Sequence, residues 1–121
     1  MSTETGIPRT LPTLRRRAEF LAVAATGKKW VTPGLILQIG KADNAPLHPR
    51  FGLTATKKIG NAVTRNRARR RLRALAQQML RQHAVPRDYV LIARFDTATR
   101  DFETLRKDLT TALRKTGCWH D

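Results

Sequence analysis

Residues 57–73 read KKIGNAVTRNRARRRLR and carry eight lysines and arginines in seventeen positions. No acidic residue occurs between Asp43 and Asp88, so the neighbouring sequence does not balance this charge. The whole chain has 24 Lys and Arg against 9 Asp and Glu, which gives a formal charge of +15 over 121 residues. Such a surplus causes self-repulsion unless phosphates or a membrane surface neutralise it. The charge pattern therefore predicts a polyanionic partner.

The same stretch opens a predicted amphipathic helix over about residues 62–83. Its core face is predicted to contain Leu72, Leu75, Ala76 and Met79. In the two turns before Leu72 only Ala68 continues the apolar side, and arginines point in several directions. Cations at a helix N-terminus oppose the macrodipole by roughly 0.3 to 1 kcal/mol each, so stability does not explain this arrangement. Guanidinium groups do suit bidentate phosphate contacts, which indicates an N-terminal half that projects past the core to bind phosphates.

The segment before the basic stretch predicts an arm and a first helix. Residues 1–12 have no periodicity and are expected to form a flexible N-terminal arm. A helix is predicted over about residues 14–25, with Thr13 as its N-cap and Gly27 ending it. Its expected buried stripe consists of Leu14, Ala18, Leu21 and Ala25. Phe20 lies off this stripe, beside Arg16 and Arg17 on the helical wheel.

The remaining segments predict strands and a last helix. Alternation predicts one strand over residues 30–40 and another over residues 51–57, separated by a loop at 41–49. Residues 88–94 are apolar on both faces, which is typical of a central strand. A last helix over about residues 101–115 should bury one face and pair Glu103 with Lys107 on the other. Its expected buried residues are Phe102, Leu105, Leu109 and Leu113.

These elements predict one α+β domain with three helices packed on a sheet of about four strands. The domain is expected to span residues 13–116, with a short C-terminal tail at 117–121. No run approaches the roughly 20 apolar residues of a membrane span, and the N-terminus lacks the layout of a secretory signal. We therefore expect a cytoplasmic protein that does not bind membranes. The single cysteine, Cys118, excludes a disulfide within the chain.

Residues 50–73, RFGLTATKKIGNAVTRNRARRRLR, resemble the signature of the bacterial ribonuclease P protein family. Its hallmark is a KKxGxAVxRN turn followed by a helix with the RNR motif. The turn itself has a physical use, because Gly60 permits a positive φ and a helix start offers free N–H groups to an anion. The resemblance extends over residues 14–115, since the other predicted elements follow in the family's order.

The resemblance implies a function in which the protein supplies no catalytic side chain. The family's holoenzyme removes the 5′ leader of precursor tRNA, with a large catalytic RNA and Mg²⁺, bound mainly by that RNA, performing the hydrolysis. No protein metal site, organic cofactor or obligate protein partner is implied. The family also shows a left-handed crossover between the strand before the RNR helix and the strand after it, against the usual handedness. The residues implied to contact the catalytic RNA are Lys57, Lys58, Arg65, Asn66, Arg67, Arg69, Arg70 and Arg73.

The resemblance also implies a cleft for the single-stranded leader between the first helix and the sheet. Its candidate residues here are Arg17, Phe20, Thr54 and Thr56. An aromatic ring beside arginines suits base stacking, worth roughly 1 to 3 kcal/mol per base, although Phe20 could equally pack on the edge of the sheet. Ala24 stands where many relatives have a second aromatic. Arg71 replaces a commonly apolar residue, which predicts a more exposed helix surface there.

Three other functions compete with this interpretation. A protein nuclease would need a catalytic or metal-binding cluster, but His48, His83 and His120 are scattered, and the acids that cluster between positions 96 and 108 lie mostly on a predicted helix. A non-enzymatic RNA-binding protein of the ribosome shares the basic α+β character and would sediment with ribosomal subunits. A DNA-binding module is disfavoured because no helix-turn-helix precedes the basic helix.

Overall fold

A four-stranded mixed sheet organises the protein, and the computed structural model describes it over residues 8–121. One helix lies on one face of the sheet and two lie on the other. Three helices and four strands agree with the predicted α+β class. In chain order the elements are α1 (Arg17–Ala25), β1 (Lys29–Val31), β2 (Leu35–Ile39), β3 (Arg50–Thr54), α2 (Ala62–His83), β4 (Asp88–Ala93) and α3 (Phe102–Lys115).

Strand β4 is the centre of the sheet, as the sequence predicts. The strand order is β1-β2-β4-β3, with β4 antiparallel to β2 and parallel to β3. Its side chains are buried on both faces, since Leu91 packs towards α2 and α3 while Val90 packs towards α1. The parallel pairing of β3 and β4 requires the crossover connection that α2 provides.

The prediction of one continuous strand over residues 30–40 is wrong, because the structure has two strands there. The chain turns at Thr32–Gly34, and β1 and β2 form a hairpin. The Thr32 hydroxyl donates to the Leu35 carbonyl at 2.7 Å and accepts from the Leu35 N–H at 3.1 Å, which fixes the turn. The strand predicted over residues 51–57 also ends early, at Thr54, and Lys57–Ile59 form a short 3₁₀ turn.

Helix α1 begins later than predicted, and its predicted stripe is wrong. Thr13 is not an N-cap but pairs with Phe51 beside β3, and the Leu14 N–H donates to the Phe51 carbonyl at 2.8 Å. This pairing holds the backbone extended, so the helix cannot start before it. The helix buries Val23, and Leu21 is 53% exposed. Gly27, with φ 71°, follows the last turn as expected.

Helices α2 and α3 follow the predicted pattern closely. Helix α2 has the predicted bounds and buries its whole predicted face, including Ala68. Helix α3 buries Leu105, Leu109 and Leu113 and leaves Phe102 partly buried. On its outer side Glu103 pairs with Arg106, at 3.6 Å, in place of the predicted Lys107. None of the helices in residues 8–121 has the length and apolar character needed to cross a membrane.

Packed structure extends past the predicted domain limits at both ends. Residues 1–7 of the predicted arm lie outside the described residues, but Leu11 is buried and its N–H donates to the Gln77 side chain at 2.7 Å. At the C-terminus Cys118 is buried, and Trp119 stacks on His83 with ring centroids 4.1 Å apart. The described part of the arm and the predicted tail therefore both pack against α2.

Candidate nucleic-acid interface

The turn between β3 and α2 presents two lysines at the start of a helix. Lys57 and Lys58 are exposed, while the neighbouring Ile59 is buried and anchors the turn. Gly60 has φ 145°, a conformation that favours glycine, and a Cβ there would meet Thr64 at 2.9 Å. Asn61 caps α2 by accepting the Thr64 N–H at 2.9 Å. The first turn still presents N–H groups that lack partners within the helix, and these suit an anion.

The N-terminal half of α2 carries the predicted contact residues on several sides. Asn66, Arg70 and Arg73 are exposed, and Arg69 is half-buried. The Nε of Arg65 is buried without a hydrogen-bond partner among residues 8–121. A buried donor without a partner is unfavourable, so the Arg65 side chain would gain a hydrogen bond by turning outward to an acceptor such as a phosphate oxygen. The helix thus presents cations both to solvent and at its junction with the sheet.

Arg67 and Arg71 attach α2 to the loop that follows β4. Arg67 Nε donates to the Ala98 carbonyl at 2.7 Å, and Arg71 Nη1 donates to the Thr97 carbonyl at 2.9 Å. Arg71 Nη2 also donates to the Arg100 carbonyl. Arg71 is half-buried, so the prediction of a more exposed surface here is wrong. Burial lowers the pKa of Arg71, and the nearby charge of Arg67 lowers it further.

The guanidinium of Arg71 also lies 5.9 Å from the ring centroid of Phe102, the first residue of α3. This distance falls within the range of a cation–π contact. These attachments could not be predicted from the sequence, because the acceptors are main-chain carbonyls of a loop that carries no matching motif.

A groove of about 310 Å³ lies at the outer edge of β3, between α1 and α2. Arg69 and Arg73 line it from α2, and Phe20 lines it from α1. Arg69 is held in place by bonds to Asn66 Oδ1 at 3.2 Å and to the Ala55 carbonyl at 3.3 Å. The groove therefore joins the arginine surface of α2 to the face of the sheet that carries α1.

Phe20 is half-buried and lies across Gly52 of β3. A Cβ on Gly52 would lie 2.5 Å from the Phe20 ring, so only glycine permits this approach. Phe20 also packs against the small core of Leu14, Val23 and Val90, which confirms the packing interpretation. Part of its ring nevertheless remains open to the groove.

The face of the sheet beside α1 continues as an uncovered apolar row. Register places Val31, Ile36, Ile92 and Thr54 side by side across all four strands. Val31 is exposed and the other three are half-buried. Of the predicted leader residues, Thr54 and Phe20 thus share one face, since Thr54 is two residues beyond Gly52. Thr56 is exposed past the end of β3, and Arg17 is exposed one turn before Phe20.

An ion-pair network fixes α1 on the sheet and was not predicted. Arg50 donates to both carboxylate oxygens of Asp88, at 2.8 and 2.7 Å, and contacts Glu19 of α1 at 3.4 Å. Glu19 also accepts the N–H groups of Arg16 and Arg15, and these bonds, more than Arg50, lower its pKa. The three charged residues are far apart in sequence, so only the fold reveals the network.

Comparisons with known proteins give one consistent family. The family model described as Ribonuclease P matches residues 9–117. The ribonuclease P protein component of Paramagnetospirillum magneticum is 47% identical over 111 residues, covering 88% of this chain and 84% of the relative. That of Gluconacetobacter diazotrophicus is 49% identical over 106 residues, covering 86% and 90%.

Solved structures give the same fold. The RNase P protein of Staphylococcus aureus matches with a TM-score of 0.73 at 21% identity, covering 89% of this chain and 97% of that one. The RNase P protein of Thermotoga maritima matches with a TM-score of 0.68 at 25% identity, covering 82% and 92%.

The contact between Gly52 and Phe20 leads to a stability prediction. Gly52→Ala should lower the free energy of unfolding by about 1 to 3 kcal/mol, because the added methyl overlaps the ring. In a Phe20→Ala background the same substitution should cost much less, since the ring is gone. Urea unfolding of the four proteins measures this coupling. Strictly additive losses would show that the ring does not rest on Gly52.

Proposed function

The chain belongs to the ribonuclease P protein family, and from that membership we propose that it binds the family's catalytic RNA and assists removal of the 5′ leader from precursor tRNA. It is the protein component of a hydrolase holoenzyme in which the RNA carries catalysis. The observation that carries this proposal is the family match, which spans the RNR helix and all four strands. It favours this function over the ribosomal and DNA-binding alternatives.

The proposed surface for the catalytic RNA is the start of α2 with the preceding turn. Its residues are Lys57, Lys58, Arg65, Asn66, Arg67, Arg69, Arg70 and Arg73. Charge supports this assignment, because none of the ion pairs in residues 8–121 involves a residue of α2. The positive potential of this surface is therefore not compensated by carboxylates and remains available to phosphates.

The proposed leader site is the groove at β3 together with the uncovered row of the sheet. Phe20 supplies a partly open ring, and Thr54 supplies a hydroxyl. Arg17, exposed one turn before Phe20, and Thr56, exposed two residues beyond Thr54, complete the proposed site. Arg69 and Arg73 border the same groove, so a strand lying in it would stay close to the RNA-binding helix. Aromatic rings flanked by cations are the usual platform for single-stranded nucleic acid.

The Mg²⁺ that the reaction requires is proposed to be held mainly by the RNA. In the part of the chain that the structure describes, no three His, Cys, Asp or Glu side chains lie close enough to hold a metal ion. Mg²⁺ commonly keeps several waters and binds phosphates, which a folded RNA supplies. No organic cofactor is needed for the hydrolysis.

Reconstitution tests the proposed function directly. The purified chain, mixed with the catalytic RNA of the same organism at moderate Mg²⁺, should increase cleavage of precursor tRNA at the 5′ end of the mature sequence. Protein without RNA should give no cleavage. Cleavage by the protein alone, or no effect of the protein on the RNA, would contradict the proposal.

Salt dependence tests the arginine surface. Arg70→Ala and Arg73→Ala should each flatten the slope of log K against log salt for binding to the catalytic RNA, by roughly 0.7 to 0.9 per lost phosphate contact. Filter binding over a range of KCl concentrations measures the slope. Lys107→Ala is the matched control, because Lys107 is exposed on α3. Equal slopes for all variants would remove these arginines from the interface.

Leader binding tests Phe20. Phe20→Ala should weaken holoenzyme binding to precursor tRNA by roughly 5- to 150-fold, the equivalent of one stacked base, and should change binding to mature tRNA little. Phe20→Leu separates packing from stacking, because it keeps apolar volume over Gly52 but has no aromatic face. Equal losses for precursor and mature tRNA would make the role of Phe20 structural only.

A further inference from the structure

An exposed phenylalanine lies in the loop of residues 94–100, which joins β4 to α3 and is called the β4–α3 loop here. Phe95 is 79% exposed, while its neighbours Thr97 and Ala98 are buried. Single exposed apolar residues are common on protein surfaces and need no explanation by themselves. Phe95 differs from such residues because hydrogen bonds within its loop and from neighbouring elements fix the backbone of the loop.

Hydrogen bonds inside the loop fix its conformation. The Thr97 N–H donates to the Arg94 carbonyl at 3.1 Å, and the Arg100 N–H donates to the Asp96 carbonyl at 2.8 Å. The buried Thr97 hydroxyl donates to the Gly34 carbonyl at 2.6 Å and accepts the Arg94 N–H at 2.7 Å. These bonds tie the loop to itself and to the β1–β2 turn.

Arginines fix the loop from outside. Arg67 and Arg71 of α2 donate to three of its carbonyl oxygens, those of Ala98, Thr97 and Arg100. Arg94 donates to the Thr32 carbonyl at 2.7 Å, and Arg100 pairs with Asp108 at 2.7 Å. Because the loop is already ordered in the free protein, a contact through Phe95 loses little conformational entropy on binding.

The loop continues the surface proposed for the catalytic RNA. The Ala98 carbonyl accepts a hydrogen bond from Arg67 of the RNR motif. Phe95 is three residues before Ala98, so the Cα atoms of the two residues lie within about 11 Å of each other. A hollow of about 250 Å³ lies beside the ring, lined also by Pro33, Arg94 and Asp96. Arg94 and Asp96 border this hollow with opposite charges, so it lacks the excess of positive charge that favours a phosphate, whereas a base has an uncharged face.

We propose that Phe95 stacks on an unpaired base of the ribonuclease P RNA, and that Arg71 is a positioning residue that holds the β4–α3 loop for this contact. The proposal rests on the proposed function, since the RNA is the one bound by α2. Aromatic stacking on splayed bases of loops and bulges is a common way for proteins to recognise RNA. Both terminal nitrogens of Arg71 donate to loop carbonyls, whereas Arg67 donates to the loop only through its Nε, so Arg71 is assigned to the loop and not to the RNA.

Binding to the catalytic RNA tests the stacking contact. Phe95→Ala should weaken binding by roughly 5- to 150-fold, and Phe95→Trp should keep it, because the indole also stacks. The slope of log K against log salt should stay at its wild-type value, because no phosphate contact is lost. Leu47→Ala is the matched control, since Leu47 is 83% exposed in a different loop. Wild-type affinity for Phe95→Ala would overturn the proposal.

A double-mutant cycle tests the role of Arg71. Arg71→Met removes two of the hydrogen bonds that hold the loop, so Phe95→Ala should weaken RNA binding less in that background than in the wild-type protein. Full additivity of the two substitutions would overturn the positioning role. If Arg71→Met fails to fold, as thermal unfolding would reveal, Arg71→Lys replaces it, because an ammonium cannot donate to separate carbonyls from a planar fork.

Crosslinking separates this inference from the proposed function. A photoreactive phenylalanine analogue at position 95 should crosslink, in the reconstituted holoenzyme, to an unpaired nucleotide of the catalytic RNA. The same analogue at position 66 tests whether α2 lies against the catalytic RNA. Crosslinks from 66 but not 95 would overturn the stacking contact and leave the proposed function intact. Crosslinks from neither position, with no assembly, would overturn both.

Discussion

Hydrogen bonds from arginine side chains to main-chain carbonyls join segments of this structure that are distant in sequence. With 24 cations and 9 acids, most guanidinium groups cannot find a carboxylate. Arg67, Arg71, Arg81 and Arg94 each donate instead to the backbone of a distant segment. A carbonyl satisfies the donor but does not cancel its charge. These arginines therefore fasten the fold and still contribute to the positive potential that an RNA partner meets.

The sequence correctly predicts those elements whose pattern of apolar residues fits only one type of secondary structure. Helix α2 has apolar residues at helical spacing from Leu72 onwards, and β4 is apolar without interruption, so both were predicted correctly. The end of helix α1 was predicted correctly, but its start was predicted wrongly because residues 12–14 pair with β3, and such a long-range contact overrides a local helical pattern. Arg71 was misjudged for a similar reason, since its acceptors are carbonyls that any sequence would provide.

The candidate site depends partly on contacts between residues that are distant in sequence, and no local sequence pattern predicts such contacts. The basic residues of α2 could be assigned from sequence because they are consecutive and carry a motif. The groove beside β3 could not be predicted, because it depends on Gly52 admitting the Phe20 ring and on Arg50 joining α1 to β4 through Glu19 and Asp88. One substitution in this group would shift α1 and change the width of the groove, even though none of these residues belongs to the basic surface of α2.

The position of β4 in the sheet has a consequence for synthesis on the ribosome. Strands β2 and β3 do not pair with each other, and β4, the last strand to be made, lies between them. Until residue 93 has emerged, β1 with β2 is the one complete pairing between the four strands that can form. At roughly 5–20 residues per second the completed basic helix waits about 0.5 to 2 seconds for β4, which ends ten residues later. During this interval its apolar face and its arginines are both exposed, so the nascent chain is open to chaperones and to nearby RNA.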